Sequence, residues 1–433
     1  MMQRDNSWMR NKEGLGLWEH RGKVAVAGVG HSPLDRRWDG KNLATSLGAY
    51  SILACEKAIE DSGLALDQID GIMVCGEALG DDWAPRPYFP APYDTEIGIT
   101  RVSGEWLIAQ LGLPNCTFVD SNAPMIGTMF GKAAQAVGDG KAKNLLIVYP
   151  TGNLEGRYHH SVPENLSPQA AGGRQWLAPW GHQGGAMMTT ASAFTQYCEK
   201  YTKGDVDWLA PLAVNQRRNG LKYDWSFYAL HEPYQITEED YLASRWVQKP
   251  VRLFDCDRPV NGSTAYLLTT SAQAKDLKPK PVYILNHCQT TGGGGRSSMP
   301  TLDETEEWCR SLARKMWEGS GLNINDVDVF NPYDGYLNFT QNYLEGFGWH
   351  GVKYGESKDF YAGDITSEGP HPFCPSGGNN GTGRTRTAIF TDCIEQLRGT
   401  AGARQISGPR EVAMAGCVTP GGNGWMIFST EER

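Results

Sequence analysis

Landmarks near the two ends of this 433-residue chain recur at almost constant separation, and that recurrence limits the folds open to it. Asp70 precedes the apolar run Gly71-Ile72-Met73-Val74, and Asp328 precedes Val329-Phe330 at 258 positions further on. Pro124 stands before a helical pattern, and Asn379 lies 255 positions later in a glycine-rich turn before another. Between the landmarks the same order runs twice. In the first half, VAVAGV (24–29) is an apolar β-rich run, followed by a three-and-four apolar spacing over 43–64 that ends at a glycine stop. A strand at 69–74, a helix around 104–111, the strand CTFVDS, the helix IGTMFGKAAQAVGDGK and the strand NLLIVYP follow. The second half repeats the plan with PVYILNHC, ETEEWCRSLARKMWEGSGL, VDVFNPYDGY, the turn PSGGNNGTG, RTAIFTDCIEQLRG, EVAMAGCV and GWMIFS.

Two strand-helix halves of this kind predict α/β layers with central, mostly parallel sheets buried on both faces. The expected division is an N-terminal half, 1–270, and a C-terminal half, 271–433. Residues 151 to about 250, rich in Trp, Tyr, Gly and His, read as an inserted loop domain lying over the site.

A net charge of -9 excludes partners that are bound through a basic field, nucleic acid and anionic membrane among them. The ten cysteines are scattered without a Cys-x-x-Cys pair, so they read as free thiols in a reducing cytoplasm. The polar beginning of the chain and the lack of any run of about 18 apolar residues give the same cytoplasmic expectation. His159, His160 and His182 lack a thiol or carboxylate at ligand spacing, so no metal is expected. Gly28-Val29-Gly30 lacks the third glycine of a dinucleotide fingerprint, and the stretch 290–298, TTGGGGRSS, reads as a flexible loop. No cofactor is expected.

The segments GVGHSP, AIEDSGLALDQIDGIMV, SRWVQKPVRLFDCDRPVNGSTAYLLTTSAQAKDL, VDVFNPYDGY and PSGGNNGTGRTRTAIFTDCIEQLRGTAGARQ resemble, in this order, the thiolase superfamily. The likeness covers nearly the whole chain and is strongest to the branch of sterol carrier protein thiolases and lipid-transfer-protein-like steroid aldolases. It implies a five-layer αβαβα thiolase fold from two duplicated halves with the inserted loop domain, normally a homodimer.

Thiolases place a nucleophilic cysteine at the start of a buried helix, where the helix dipole favours thiolate. The matching position here is Pro124, in Ser121-Asn122-Ala123-Pro124-Met125. Proline is compatible with a first helical turn but excludes a covalent acyl-enzyme at this position. The family's His-Asp-Cys-Phe or Asn-Glu-Ala-Phe motif is Tyr333-Asp334-Gly335-Tyr336, its Gly-His-Pro loop is Gly383-Arg384-Thr385, and its late Cys-x-Gly loop retains Cys417 ahead of Gly421-Gly422.

Steroid side-chain retro-aldolases of the superfamily also lack the cysteine and use tyrosine as the acid-base group. The resemblance therefore implies cleavage of a β-hydroxyacyl-CoA into a carbonyl compound and a shorter acyl-CoA. Tyr333, Arg384 and Cys417 become the catalytic candidates. Tyrosine ionises near pH 10, so it needs a cation nearby to act as a base, and Arg384 is the candidate. Asp334, Gly377, Gly378, Asn379, Asn380 and Gly422 become candidates for substrate binding, since a glycine turn brings backbone N–H groups close to a thioester oxygen. Asp334 and Tyr336 read as a supporting frame. One departure stands out: the aldolases carry a second tyrosine where Arg384 lies. Two readings compete, a Claisen-type acyltransferase using Cys417 and a non-catalytic acyl-CoA-binding scaffold. The resemblance also implies a small OB-fold and zinc-ribbon partner, for which Trp83, Tyr88 and Phe89 are candidate contacts.

Overall fold

The computed structural model describes residues 7–76, 97–152, 186–291, 301–417 and 422–433. The strands are β1 (Val24–His31), β2 (Gly71–Cys75), β3 (Phe118–Ala123), β4 (Asn144–Thr151), β5 (Trp246–Gln248), β6 (Val251–Arg252), β7 (Gly262–Thr270), β8 (Val282–Thr291), β9 (Val329–Pro332), β10 (Val412–Gly416) and β11 (Gly422–Ser429). β5 and β6 form a separate hairpin, and the other nine make one sheet in the order β3-β2-β4-β7-β1-β8-β11-β10-β9. Outward from the β1/β8 join, β7, β4 and β2 mirror β11, β10 and β9. The join is short, with Ala25 opposite Tyr283 and Val26 opposite Val282.

The two landmark aspartates do the same local job. Asp70 accepts hydrogen bonds from the backbone N–H groups of Lys143 and Asn144 at the start of β4. Asp328 accepts from Glu411 and Val412 at the start of β10. Each carboxylate satisfies the amides of a neighbouring parallel strand just where its ladder begins.

The sheet is mixed, not mostly parallel as the strand-helix alternation predicts. Parallel pairing is confined to β2 with β3 and β4 and to β9 with β10. The strands around the β1/β8 join pair antiparallel. The physical reason is plain at β10 and β11, where the connection is too short for a crossover and only an antiparallel return fits.

Helices complete five layers. α1 (Leu47–Ser62) and α2 (Gly104–Leu111) cover one face of β1, β2, β4 and β7, packing on Ala27, Ile72, Leu146, Val148, Ala265 and Leu267. α1 begins at Ser46, whose hydroxyl accepts from Ala49 N–H, and stops at Gly63 with φ 72°, a left-handed cap that glycine adopts without strain. α3 (Ile126–Gly138) and α9 (Ala388–Arg398) fill the middle layer, with Phe130 stacked on Phe390 at 5.4 Å. α6 (Leu302–Ser320) and α7 (Thr340–Phe347) cover the outer face of the other half, where Trp425 of β11 meets Phe347 and Tyr343. The inserted region contributes α4 (Ala186–Tyr201) and α5 (Ala210–Gly220), and its residues 153–185 lie outside the described set. Also outside it are Trp83, Tyr88, Phe89, His159, His160, His182 and most of 290–298. No described helix is long and apolar enough to cross a membrane.

Glu345 on α7 is buried and accepts from the Ser357 hydroxyl at 2.6 Å, the Ser357 N–H at 3.1 Å and the Tyr197 hydroxyl. Burial pushes its carboxyl up to about 7, against the pull of those donors. The folded chain therefore holds a proton that the unfolded chain has lost, and the carboxyl's contribution to stability falls as pH rises from its ordinary range to about 7. Glu345→Gln is expected to flatten the decline of Tm between pH 5 and 8. An unchanged slope in thermal melts would contradict this.

Candidate active site

The site forms where β9 ends and the chain turns through Tyr333-Asp334-Gly335-Tyr336. Val329 to Pro332 are fully buried in parallel register with β10, so the turn starts from a fixed point. Tyr333 then folds back on itself. Its ring stacks on Phe339 at 6.3 Å, and its hydroxyl lies 2.1 Å from where a Cβ at position 335 would sit. Gly335 is therefore required for the Tyr333 ring to occupy this place.

Asp334 is fully buried and ties this turn to the glycine-rich one. Its carboxylate accepts from Asn379 N–H at 2.6 Å, Asn380 N–H at 3.1 Å and Gln216 Nε2 at 2.7 Å, while Asn380 Nδ2 donates to its backbone carbonyl. The turn itself contains a short helix, α8 (Gly378–Thr382), that the glycine content hides. Gly378 has φ 54°, and any Cβ there would meet the Asp334 carboxylate at 2.2 Å. The close approach made by Gly377 and Gly381 is to the backbone of α5, not to open space: added Cβ atoms would meet Gly220 N at 2.5 Å and Gln216 O at 2.0 Å. Burial pushes the Asp334 carboxyl up to about 7, with Gln216 and the two amides pulling it down.

Asn379 is the hub of the arrangement. Its Nδ2 donates to Asp257 Oδ2 at 3.0 Å, and its Oδ1 accepts from Arg386 N–H at 2.8 Å. Asp257 closes the ring by donating its N–H to the Gly335 carbonyl at 3.1 Å. The Arg386 guanidinium donates to the Tyr149 hydroxyl at 2.7 Å, from a backbone held at φ 61°.

Burial drives the Tyr333 phenol well above its ordinary range. The Asp257 charge raises it further and Cys417 adds to that, while Arg386 and then Arg384 pull it down. The sequence candidates Tyr333, Arg384, Cys417, Asp334, Gly378, Asn379 and Asn380 thus lie in one neighbourhood. Gly422 does not join the hydrogen-bonded ring; it opens β11 opposite Thr291. Pro124 precedes α3 by two residues, with Met125 as the cap, so it stands just outside the first turn predicted for it. Asp257, Arg386 and Tyr149 are additions that sequence reading missed.

Beside the ring lies a cavity of about 300 Å³ that shares Asp257 and Asn380 with it and is lined by Arg36, Arg217, Arg245 and Arg258. Arg258 is held by both oxygens of Glu232 at 2.9 and 3.2 Å. Arg217 is 2% exposed, with its guanidinium 3.5 Å from the Tyr228 ring centre. Among the described residues no carboxylate pairs with Arg36, Arg217 or Arg245. Four arginines in one cavity are a strong local excess on a chain of net charge -9.

Comparison with known proteins bears on the fold and on the chain's relatives. Residues 293–427 match the family model described as thiolase C-terminal domain-like. The 17-hydroxy-3-oxo-4-pregnene-20-carboxyl-CoA lyase of Mycobacterium tuberculosis is 26% identical, over 88% of this chain and 92% of that protein. The steroid side-chain-cleaving aldolase of Thermomonospora curvata is also 26% identical, over 88% of this chain and 91% of its own length. The solved Ltp2-ChsH2(DUF35) aldolase superposes with a TM-score of 0.73 at 21% identity, covering 94% of this chain and 98% of that one. The chain is thus similar to steroid side-chain-cleaving aldolases over most of its length and to the thiolase C-terminal domain over residues 293–427, and it shares its fold with the solved aldolase.

Proposed function

We propose that the chain cleaves a bulky β-hydroxyacyl-CoA, with a steroid side chain or an aromatic group, by a retro-aldol reaction. The products are a ketone or aldehyde and a short acyl-CoA, and no acyl-enzyme forms. The observation that carries this reading is a buried tyrosine on the turn that Asp334 and Asp257 tie to the Asn379–Arg386 segment, in a chain whose nucleophile position is Pro124.

The chemistry balances on these groups alone. The Tyr333 oxygen, in its minor deprotonated form, takes the β-hydroxyl proton. The carbon–oxygen bond becomes a carbonyl as the α,β carbon–carbon bond breaks, and its electron pair moves into the thioester as an enolate. A proton returned to the α carbon gives the short acyl-CoA. Burial keeps the phenol neutral at rest, so cleavage is expected to accelerate as pH rises through the alkaline range.

The arginine-lined cavity suits the phosphate groups of a CoA thioester, since guanidinium forks match phosphate oxygens. Arg217→Gln is expected to raise KM for the thioester about tenfold, the effect of roughly one charge-assisted hydrogen bond, with kcat within about twofold. An unchanged KM would count against the cavity as the nucleotide end of the site.

A small OB-fold and zinc-ribbon partner is part of this reading, which is supported by the Ltp2 neighbour having been solved with ChsH2(DUF35). So is a homodimer, for which β3 offers a half-exposed strand at the edge of the nine-stranded sheet. The deciding experiment incubates the chain, co-expressed with its partner, with a β-hydroxy-β-branched acyl-CoA and looks for ketone plus acetyl- or propionyl-CoA. Cys417→Ser separates the acyltransferase alternative: retained cleavage supports the lyase, and loss of all turnover supports the transferase.

A further inference from the structure

The cation that serves Tyr333 need not be the arginine at the family's histidine position. Arg384 holds that position, its backbone N–H on the Arg258 carbonyl at 2.8 Å, while Arg386 is tied at both its backbone and its guanidinium. Its backbone sits in the left-handed region that a non-glycine side chain enters at a cost of about 1 kcal/mol or more. That conformation is held by the Asn379 side chain, which accepts from Arg386 N–H at 2.8 Å. The guanidinium is fixed at its far end by the Tyr149 hydroxyl at 2.7 Å, on a strand end that is 1% exposed.

The same Asn379 reaches the Tyr333 turn twice, through Asp334 and through Asp257, whose N–H binds the Gly335 carbonyl. A strained backbone whose N–H and guanidinium are both anchored is a costly way to place an ordinary surface arginine. It is a reasonable way to hold one guanidinium still on the network that carries the Tyr333 turn.

We infer that Arg386 is the positioning cation of this site: anchored by Asn379 and Tyr149, it stabilises the Tyr333 oxygen when that oxygen becomes an anion. This rests on the retro-aldol reading for its purpose but not for its geometry. The charged and titratable groups facing Tyr333 are Asp257 from the segment before β7, Arg384 and Arg386 from the turn after α8, Cys417 after β10, Tyr343 from α7 and the neighbouring Asp334. Of these, Arg386 exerts the largest favourable pull on the phenolate.

The test uses the chain with 3,5-difluorotyrosine incorporated at position 333, whose phenol is intrinsically more acidic and whose fluorine resonances report ionisation. Arg386→Gln is expected to move that titration up by about one pH unit or more, each unit being a tenfold change in phenolate population. Arg386→Lys should restore part of the shift, and Tyr149→Phe, which removes only the anchor, should move it less and in the same direction. In cleavage assays of the natural chain, Arg386→Gln is expected to lower kcat about 100-fold near neutral pH with KM little changed. Activity should recover towards alkaline pH and on adding guanidinium.

A fluorine titration that stays put in both Arg386→Gln and Tyr149→Phe overturns the inference, whether or not the natural chain cleaves any substrate. A titration that moves, in a chain that cleaves nothing, upholds the charge pairing and overturns the retro-aldol reading instead.

Discussion

Tyr333→Phe is expected to lower kcat for carbon–carbon cleavage by about 10³-fold, within the range that a lost general acid-base group removes. The protein should remain folded. The Tyr333 ring contributes the packing, stacked on Phe339 and lying over Gly335, and phenylalanine keeps that ring. The hydroxyl is the only atom lost, and Tm should change by no more than the effect of about 1 kcal/mol. This separation of activity from stability is what distinguishes a chemical role from a structural one. A tyrosine that merely tied down a loop would lose stability on truncation and keep its rate. Near-full cleavage by a folded Tyr333→Phe chain would remove the basis of the mechanism.

Much of the fold was legible because it rests on local patterning. Apolar runs bounded by glycine placed β1, β4, β8 and β10 within a few residues of their observed limits, and the Asp70 and Asp328 landmarks proved to share one hydrogen-bonding task. The antiparallel strands were less visible. Direction in a sheet is decided by how connections return, and an apolar strand buried on both faces reads alike in either direction.

The site divides along the same line. Tyr333, Asp334 and the glycine turn could be found because they occupy motif positions contiguous in sequence. Asp257 and Tyr149 could not, since they reach the site from segments far from it in the chain. Arg386 had a visible signal in Arg384-Thr385-Arg386, two arginines flanking one threonine ahead of α9. Only the first of them occupies the family's histidine position. The left-handed backbone that makes the second distinctive depends on Asn379, and no local propensity reports it.

The glycines illustrate a different limit. A glycine-rich turn is equally the mark of a close ligand and of a close helix, because both need the absent Cβ. Here α5 occupies the space beside Gly377 and Gly381, and the Asp334 carboxylate occupies that beside Gly378. What the turn offers a substrate is its ordered frame, and that frame depends on one carboxylate.

Asp334→Ala should therefore be the most destabilising single change in the site. Removing the carboxylate relieves the burial of a charge, which favours the variant. Against that, it strands the N–H groups of Asn379 and Asn380 and the Gln216 amide, all buried. An orphaned buried donor costs about 1–3 kcal/mol, so three of them outweigh the relief and leave a net loss of about 3 kcal/mol. The cavity left behind adds to it. Chemical denaturation should show the midpoint falling with the slope unchanged. Asp334→Asn separates the terms: it keeps the volume and one acceptor but turns an NH₂ towards an N–H, so its loss should fall between wild type and alanine. Both variants release α8 from the Tyr333 turn, and a shift of about 1 Å there is enough to cost about 100-fold in rate. If Asp334→Ala unfolds at the wild-type midpoint, then the three donors find other acceptors, and the rigid frame that holds Asn379, and through it Arg386, has another source.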